Sequence, residues 1–225
     1  MTTGNKPPRA ARPGCFITLE GIDGAGKSTH AAWLTHTLKA HGLEVIHTRE
    51  PGGTAVGEHL RELLLNTSMQ ADTELMLMFA ARNEHVQTVI LPNLEQGVWV
   101  VCDRFTDATY AYQGGGRQMP LSRISLLEDV VHPSLQPDCT FLFDIDIPTA
   151  RQRLRQHGAP DRFEAEQQAF FERTRHGYLM RARQYADRFR VLDAAQSVET
   201  IQADLARHLQ ALLTQHAAHQ PDPSR

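Results

Sequence analysis

Residues 16–34 read FITLE, then GIDGAGKS, then THAAWL: an apolar run of strand length, a loop with three glycines closing on Lys-Ser, and apolar residues returning at helical spacing. The loop fits G-x-x-x-x-G-K-[ST] over Gly21, Ile22, Asp23, Gly24, Ala25, Gly26, Lys27 and Ser28, with Thr29 following. Few folds accommodate that order. The glycines let the backbone curl so that successive N–H groups converge on phosphate oxygens, and the helix behind adds the positive end of its dipole. Lys27 is then expected at the β/γ-phosphates of a nucleotide and Ser28 on Mg²⁺. The competing reading is a strand-to-helix turn that binds nothing, and the flanking strand and helix argue against it.

The same alternation continues along the chain. Strands are expected at Cys15–Glu20, Glu44–Thr48, Val98–Cys102, Cys139–Ile145 and Arg190–Leu192. Helices are expected at Lys27–His41, Gly57–Leu65, Asp72–Glu95, Leu121–Val131, Pro148–His157, Glu164–Asp187 and Ser197–Gln215, with Pro92 ending or kinking the third. Short apolar runs between longer amphipathic ones imply βα units and a parallel sheet, so the fold class is α/β. Its ligands should gather at the carboxyl ends of the strands, in the loops after Glu20, Thr48 and Cys102.

The length of 225 residues suits one domain over 15–215, between proline- and polar-rich tails at 1–14 and 216–225 expected to be disordered. With 41 % hydrophobic and 22 % charged residues, disorder and coiled coil over the whole length are excluded. Lys plus Arg total 23 against 26 acidic residues, a net −3, which supplies no basic footprint for nucleic acid or an anionic membrane. No apolar run is long enough to span a bilayer and no apolar segment follows the basic N-terminus, so a cytoplasmic protein is expected. Cys15, Cys102 and Cys139 each edge an apolar run and are expected as buried thiols.

Val98–Asp103 is an apolar run ending in a carboxylate, the form of an acid that reaches Mg²⁺ beside a phosphate-binding loop. Two other strand ends carry arginine: Arg49 between Thr48 and Glu50-Pro51-Gly52-Gly53-Thr54, and Arg104 after Asp103. A guanidinium fork binds phosphate through two parallel hydrogen bonds, so two of them at adjacent strand ends point to a second anion facing the first. A GTPase switch is disfavoured, because the sole Asn-Lys pair is Asn5-Lys6, followed by Pro7.

GIDGAGKS, TREPGGT (residues 48–54), FAAR (79–82), DRF (103–105) and YAYQGGGR (110–117), in this order, strongly resemble the bacterial thymidylate kinases over about Phe16–Leu213. The resemblance implies a nucleoside monophosphate kinase fold of three layers, a five-stranded parallel sheet flanked by helices, with a short mobile lid at about 149–164, in a homodimer. It implies transfer of the ATP γ-phosphoryl group to dTMP. Carried over position by position, it places Asp23 near the acceptor sugar, Arg104 on the dTMP phosphate, and Arg49 and Arg61 in the same pocket. Arg82 would hydrogen-bond the thymine, Thr109 and Gln113 would face the base, and the Tyr112 ring would leave no room for a ribose 2′-hydroxyl. Many relatives stack a phenylalanine four residues before that arginine. Here Met78 holds that place and Phe79 is one residue off, so either could cover the base.

In eukaryotic-type relatives an arginine inside the phosphate loop stands where this chain has Gly24. Charge on the transferring phosphoryl group must therefore be met from elsewhere. The stretch 151–162 resembles the bacterial lid and offers Arg153, Arg155 and Arg162. The rival readings are a kinase for another deoxynucleoside monophosphate, and a non-catalytic nucleotide-binding module that kept the loop.

Overall fold

The computed structural model describes residues 14–155, 161–164 and 166–219. The chain begins with β1 (Phe16–Glu20), the glycine loop and α1 (Lys27–Ala40), then β2 (Val45–Arg49), α2 (Ala55–Asn66) and α3 (Ala71–His85). A π-helical turn at Val86–Ile90 leads into α4 (Leu91–Glu95) and β3 (Trp99–Asp103). There follow α5 (Thr106–Thr109), a π-helical segment Tyr110–Gly116, α6 (Leu121–Val131), β4 (Cys139–Asp144), α7 (Ile147–Leu154), α8 (Gln168–Gln184), β5 (Phe189–Asp193) and α9 (Val198–His219).

All five strands pair in parallel in the order β2-β3-β1-β4-β5. Strand β1 is buried along its whole length, as its near-continuous apolar character suits a central strand. The chain crosses from β1 toward β2 and β3 on one side and returns to β4 and β5 on the other. The crevice where that direction reverses lies at the carboxyl end of β1, above the glycine loop.

Strand bounds agree with the sequence reading to within about a residue at most ends, but the differences matter. Strands β2 and β3 each run one residue further, so Arg49 and Asp103 are registered opposite each other at the sheet's edge. Helix α2 starts two residues earlier, because the Thr54 hydroxyl accepts the Gly57 N–H at 2.8 Å and caps it. The expected Asp72–Glu95 helix is continuous but changes register: a wider π turn precedes Pro92 and relieves its clash with the preceding turn. Helix α7 is capped by Asp146, whose Oδ1 accepts the Thr149 N–H at 2.9 Å. Helix α9 extends through His219, past the expected start of the C-terminal tail, and α8 is shorter at both ends than expected. The tail at 1–13, residues 220–225 and lid residues 156–160 and 165 lie outside the described residues.

The glycine run Gly114–Gly116 looks like a loop in the sequence and is helical in the fold. A Cβ at Gly115 would stand 2.7 Å from the Arg173 carbonyl oxygen, and one at Gly116 would stand 2.5 Å from the Phe170 ring. Close approach of α8, not flexibility, calls for glycine there.

Candidate active site

Two cavities open side by side at the carboxyl ends of the strands. The first encloses about 560 Å³ and is bounded by Met78, Arg82, Phe105, Thr109, Tyr112 and Gln113 on its inner wall. The second, about 1540 Å³, is floored by the glycine loop from Asp23 to Thr29 and walled by Arg49, Asp103 and Arg153. Asp23, Glu50, Arg61 and Arg104 line both. The two cavities therefore meet at a boundary made of two arginines and two carboxylates.

In the glycine loop, Lys27 Nζ donates to the Gly21 and Ile22 carbonyls at 3.0 and 3.1 Å. Burial, and then Arg104, push its pKa down from the ordinary lysine value. Gly24 adopts φ +83°, and a Cβ there would lie 2.4 Å from the Ala150 carbonyl oxygen on α7. A side chain at this position has no room, which accounts physically for the lack of a loop arginine. Ser28 Oγ donates to Asp103 Oδ2 at 3.3 Å, while Asp103 Oδ1 is buried with no hydrogen-bond partner among the described residues. Hydroxyl and orphaned carboxylate oxygens are the hard ligands Mg²⁺ takes when substrate phosphates complete its shell.

Arg104 holds φ +70°, uncommon for a non-glycine residue. Its guanidinium is over-determined: Nη2 donates to Asp23 Oδ1 at 2.6 Å and Tyr112 Oη at 2.9 Å, and Nη1 donates to Tyr178 Oη at 3.0 Å. Tyr112 Oη in turn donates to Asp23 Oδ2 at 2.7 Å. Burial pulls the Asp23 carboxyl up, but Arg104 and Lys27 outweigh it and hold its pKa at about 2. Behind them, Tyr178 Oη donates to Glu20 Oε2 at 2.9 Å and the Phe105 N–H donates to Oε1 at 2.7 Å. Burial, then Asp107, raises Glu20 to about 8. The sequence reading gives neither Glu20 nor Tyr178 a role in the site. Glu20 had a signal, a carboxylate closing a mostly apolar strand; Tyr178 sits mid-helix and had none.

At the inner wall, Arg82 is buried between the Phe79 and Phe105 rings, 4.8 and 5.3 Å from their centroids. Its Nε donates to Glu50 Oε2 at 2.7 Å, and its Nη2 donates to Thr109 Oγ1 at 3.0 Å and the Phe105 carbonyl at 3.2 Å. Nη1 is buried with no partner among the described residues. Gln113 Nε2 donates to the buried Glu74 Oε1 at 2.8 Å. Arg61 Nη1 donates to the Pro51 carbonyl at 2.9 Å, and burial with Arg49 and Arg104 nearby lowers its pKa. Arg49 is exposed and paired with Glu58 at 2.8 Å.

Three expected residues stand elsewhere. Phe79 does not line the cavity: it is turned about 100° round α3 from Met78 and packs with Leu75, Tyr110, Met119 and Ile124, leaving Met78 on the cavity wall. Arg162 does not face the glycine loop, because Glu74 Oε2 at 2.7 Å and the Leu64 carbonyl at 2.9 Å hold its guanidinium. Arg155 is exposed. Of the three lid candidates only Arg153 borders the second cavity, its Nη1 donating to the Ala194 carbonyl at 3.0 Å. His157 lies outside the described residues.

A family model described as thymidylate kinase matches residues 19–205. The thymidylate kinase of Bordetella pertussis is 57 % identical over 204 residues, 91 % of this chain and 98 % of that protein. The thymidylate kinase of Thiobacillus denitrificans is 56 % identical over 200 residues, 89 % of this chain and 98 % of that protein. The crystal structure of thymidylate kinase from Ehrlichia chaffeensis superposes with a TM-score of 0.73 at 34 % identity, covering 88 % of this chain and 98 % of that one. Matched nearly end to end in sequence, and in a sheet whose central crevice carries both cavities, the chain belongs to the thymidylate kinase family.

Proposed function

We propose that this chain transfers the γ-phosphoryl group of Mg-ATP directly to the phosphate of dTMP, yielding dTDP and ADP for dTTP synthesis. The observation that carries the reading is the shared boundary: Asp23, Arg61 and Arg104 line both cavities, so donor and acceptor phosphates would meet there without an intervening carrier. The glycine-loop amides and Lys27 would hold the donor. Arg104, Arg61 and Arg49 would hold the acceptor phosphate, and Asp23 would take the sugar hydroxyl. Little covalent chemistry falls to the protein, so positioning and charge stabilisation are its contribution.

Ser28 and Asp103 would hold Mg²⁺, a role supported by the orphaned Asp103 Oδ1. When bound, the ion neutralises charge on phosphate oxygens. Arg153 would supply the lid's positive charge, since it alone of the candidates borders the second cavity. On the acceptor side Met78 would cover the base through its polarizable sulfur, and the free Arg82 Nη1 would donate to a base carbonyl. Thr109 and Gln113 complete the wall. Tyr112, braced on Asp23, would select against a ribose 2′-hydroxyl.

The homodimer is supported by exposed apolar side chains on neighbouring helices: Met76 on α3, and Leu126 and Val130 one turn apart on α6. No helix among the described residues is long and apolar enough to cross a membrane. The cytoplasm as the working compartment is supported by Cys15, Cys102 and Cys139, all buried and none in a disulfide. ADP release measured against a panel of monophosphates tests the assignment. dTMP should win over UMP, CMP and AMP, and preference for any of these three would refute it.

A further inference from the structure

Behind Arg82 lies a buried relay whose inner members, His85 and Thr48, line neither cavity. His85, one turn along α3 and fully buried, lies with Nδ1 3.0 Å from Glu50 Oε1 and Nε2 2.7 Å from Thr48 Oγ1. Glu50 spends its other oxygen on Arg82 Nε. Burial pulls the Glu50 carboxyl up, but Arg82 and His85 outweigh it and lower its pKa, so both its oxygens accept. Nδ1 of His85 must then carry a proton, and in the neutral ring Nε2 accepts the Thr48 hydroxyl. The relay also seats the loop after β2. A Cβ at Gly53, where φ is +78°, would come within 2.5 Å of both His85 Nε2 and Thr48 Oγ1.

The consequence concerns the one Arg82 nitrogen left over. A guanidinium is planar, so fixing Nε on Glu50 and Nη2 on Thr109 and the Phe105 carbonyl leaves Nη1 a single orientation. Glu50 can hold that plane only if its own carboxylate cannot rotate, and His85 Nδ1 is the donor that stops it. We propose that His85 is a positioning residue for base selection, acting through Glu50 to aim the unpartnered Arg82 Nη1 at a carbonyl oxygen of the acceptor base. A pyrimidine with an amino group at that place then meets a fixed donor and is rejected. The inference rests on the reading of Arg82 as the base-facing donor.

Two near-isosteres divide the ring's two bonds. An asparagine amide reaches the position of Nδ1 and a glutamine carbonyl that of Nε2. His85→Gln should raise the KM for dTMP about tenfold, the loss of one charge-assisted hydrogen bond, with kcat at saturation and the KM for ATP within about twofold of the parent. It should also lower the kcat/KM preference for dTMP over dCMP. His85→Asn, which keeps the donor to Glu50, should restore both. The proposal is overturned if both variants match the parent, or if both raise KM equally while the base preference stays put, as general loosening would do. Arg82→Gln serves as the control: should it leave KM and preference unchanged, the base-reading role of Arg82 falls, whereas a shift in Arg82→Gln without one in His85→Gln removes only the relay. If the glutamine variant does not fold, long-range ¹H–¹⁵N spectra of the unaltered protein decide the matter, since a His85 ring protonated solely at Nε2 is incompatible with the relay.

Discussion

Arg104 Nη2 stands 2.6 Å from Asp23 Oδ1, so the arginine just past β3 and a carboxylate inside the glycine loop, 81 residues apart, are bonded where the two cavities meet. Each orients the other and both adjoin Lys27, so this pair ties the glycine loop to the end of β3 at the boundary of the two cavities. Its charge state follows from the fold. Asp23, held at about 2 against 3.8 when free, is ionised wherever the enzyme would work. Since the folded value is the lower one, its contribution to stability is complete above about pH 4 and fades as pH falls toward 2.

Asp23→Asn should therefore lose part of the parent's acid sensitivity below about pH 4, and kcat/KM for dTMP should fall by about 10²-fold as Arg104 loses its charged partner. Thermal melts from pH 3 to 7 with steady-state kinetics measure both. An unchanged acid limb of the melting curve would show that Asp23 is not the depressed group.

Glu20 gives the opposite sign. Its folded pKa of about 8 exceeds the free value of 4.5, so the folded chain keeps a proton the unfolded chain releases. Stability from this group is greatest below the free value and declines as pH rises through 8. Glu20→Gln cannot ionise, and its melting temperature should drop less than the parent's between about pH 6 and pH 9. Equal drops would locate the titration elsewhere.

Arg153 and Arg162 should separate cleanly. Arg153→Ala should reduce kcat by about 10²-fold or more, with the melting temperature little changed, as expected of a group that acts on the transferring phosphoryl. Arg162→Ala leaves the buried Glu74 short of a cation and should cost about 1–3 kcal/mol of stability. Arg117, which also pairs with Glu74 and with Glu166, softens that loss. The idea fails if the catalytic defect follows Arg162 instead.

Tyr112→Ala removes the ring whose hydroxyl bridges Asp23 and Arg104. Relative to dTMP, kcat/KM for the ribonucleotide counterpart should rise about tenfold or more, since excluding a hydroxyl by shape is worth roughly this much. Tyr112→Phe keeps the ring and should keep the exclusion, losing only the bracing bonds. If alanine discriminates as the parent does, the steric account is wrong.

Much of the glycine-loop cavity was legible because its floor is local. Gly21 through Ser28 form one uninterrupted segment whose geometry follows from glycine, a strand before and a helix behind. Asp103 was legible as the polar end of an apolar run. Phe79 and Arg162 misled for the same reason: each sits one or a few residues from a position that faces a cavity, and a helix turns about 100° per residue. Spacing along the chain cannot say which side of α3 faces the cavity, nor that Arg162 would find a buried Glu74 instead of the glycine loop. Glu50, Glu74, His85 and Tyr178 were not legible because each acts through partners some 30 to 160 residues away.

The sequence by itself determined the α/β class, the parallel sheet, the glycine loop between strand and helix, and the two arginines at the ends of neighbouring strands. These rest on periodicity and on contacts between residues close in the chain. Only the tertiary structure decided how the second pocket is built. Arg104 in its left-handed backbone conformation, Arg82 with one free nitrogen, and Gly24 with no room for a side chain are consequences of α3, α7 and α8 closing on the sheet. Buried polar groups must find partners wherever packing brings them, and that packing is long-range.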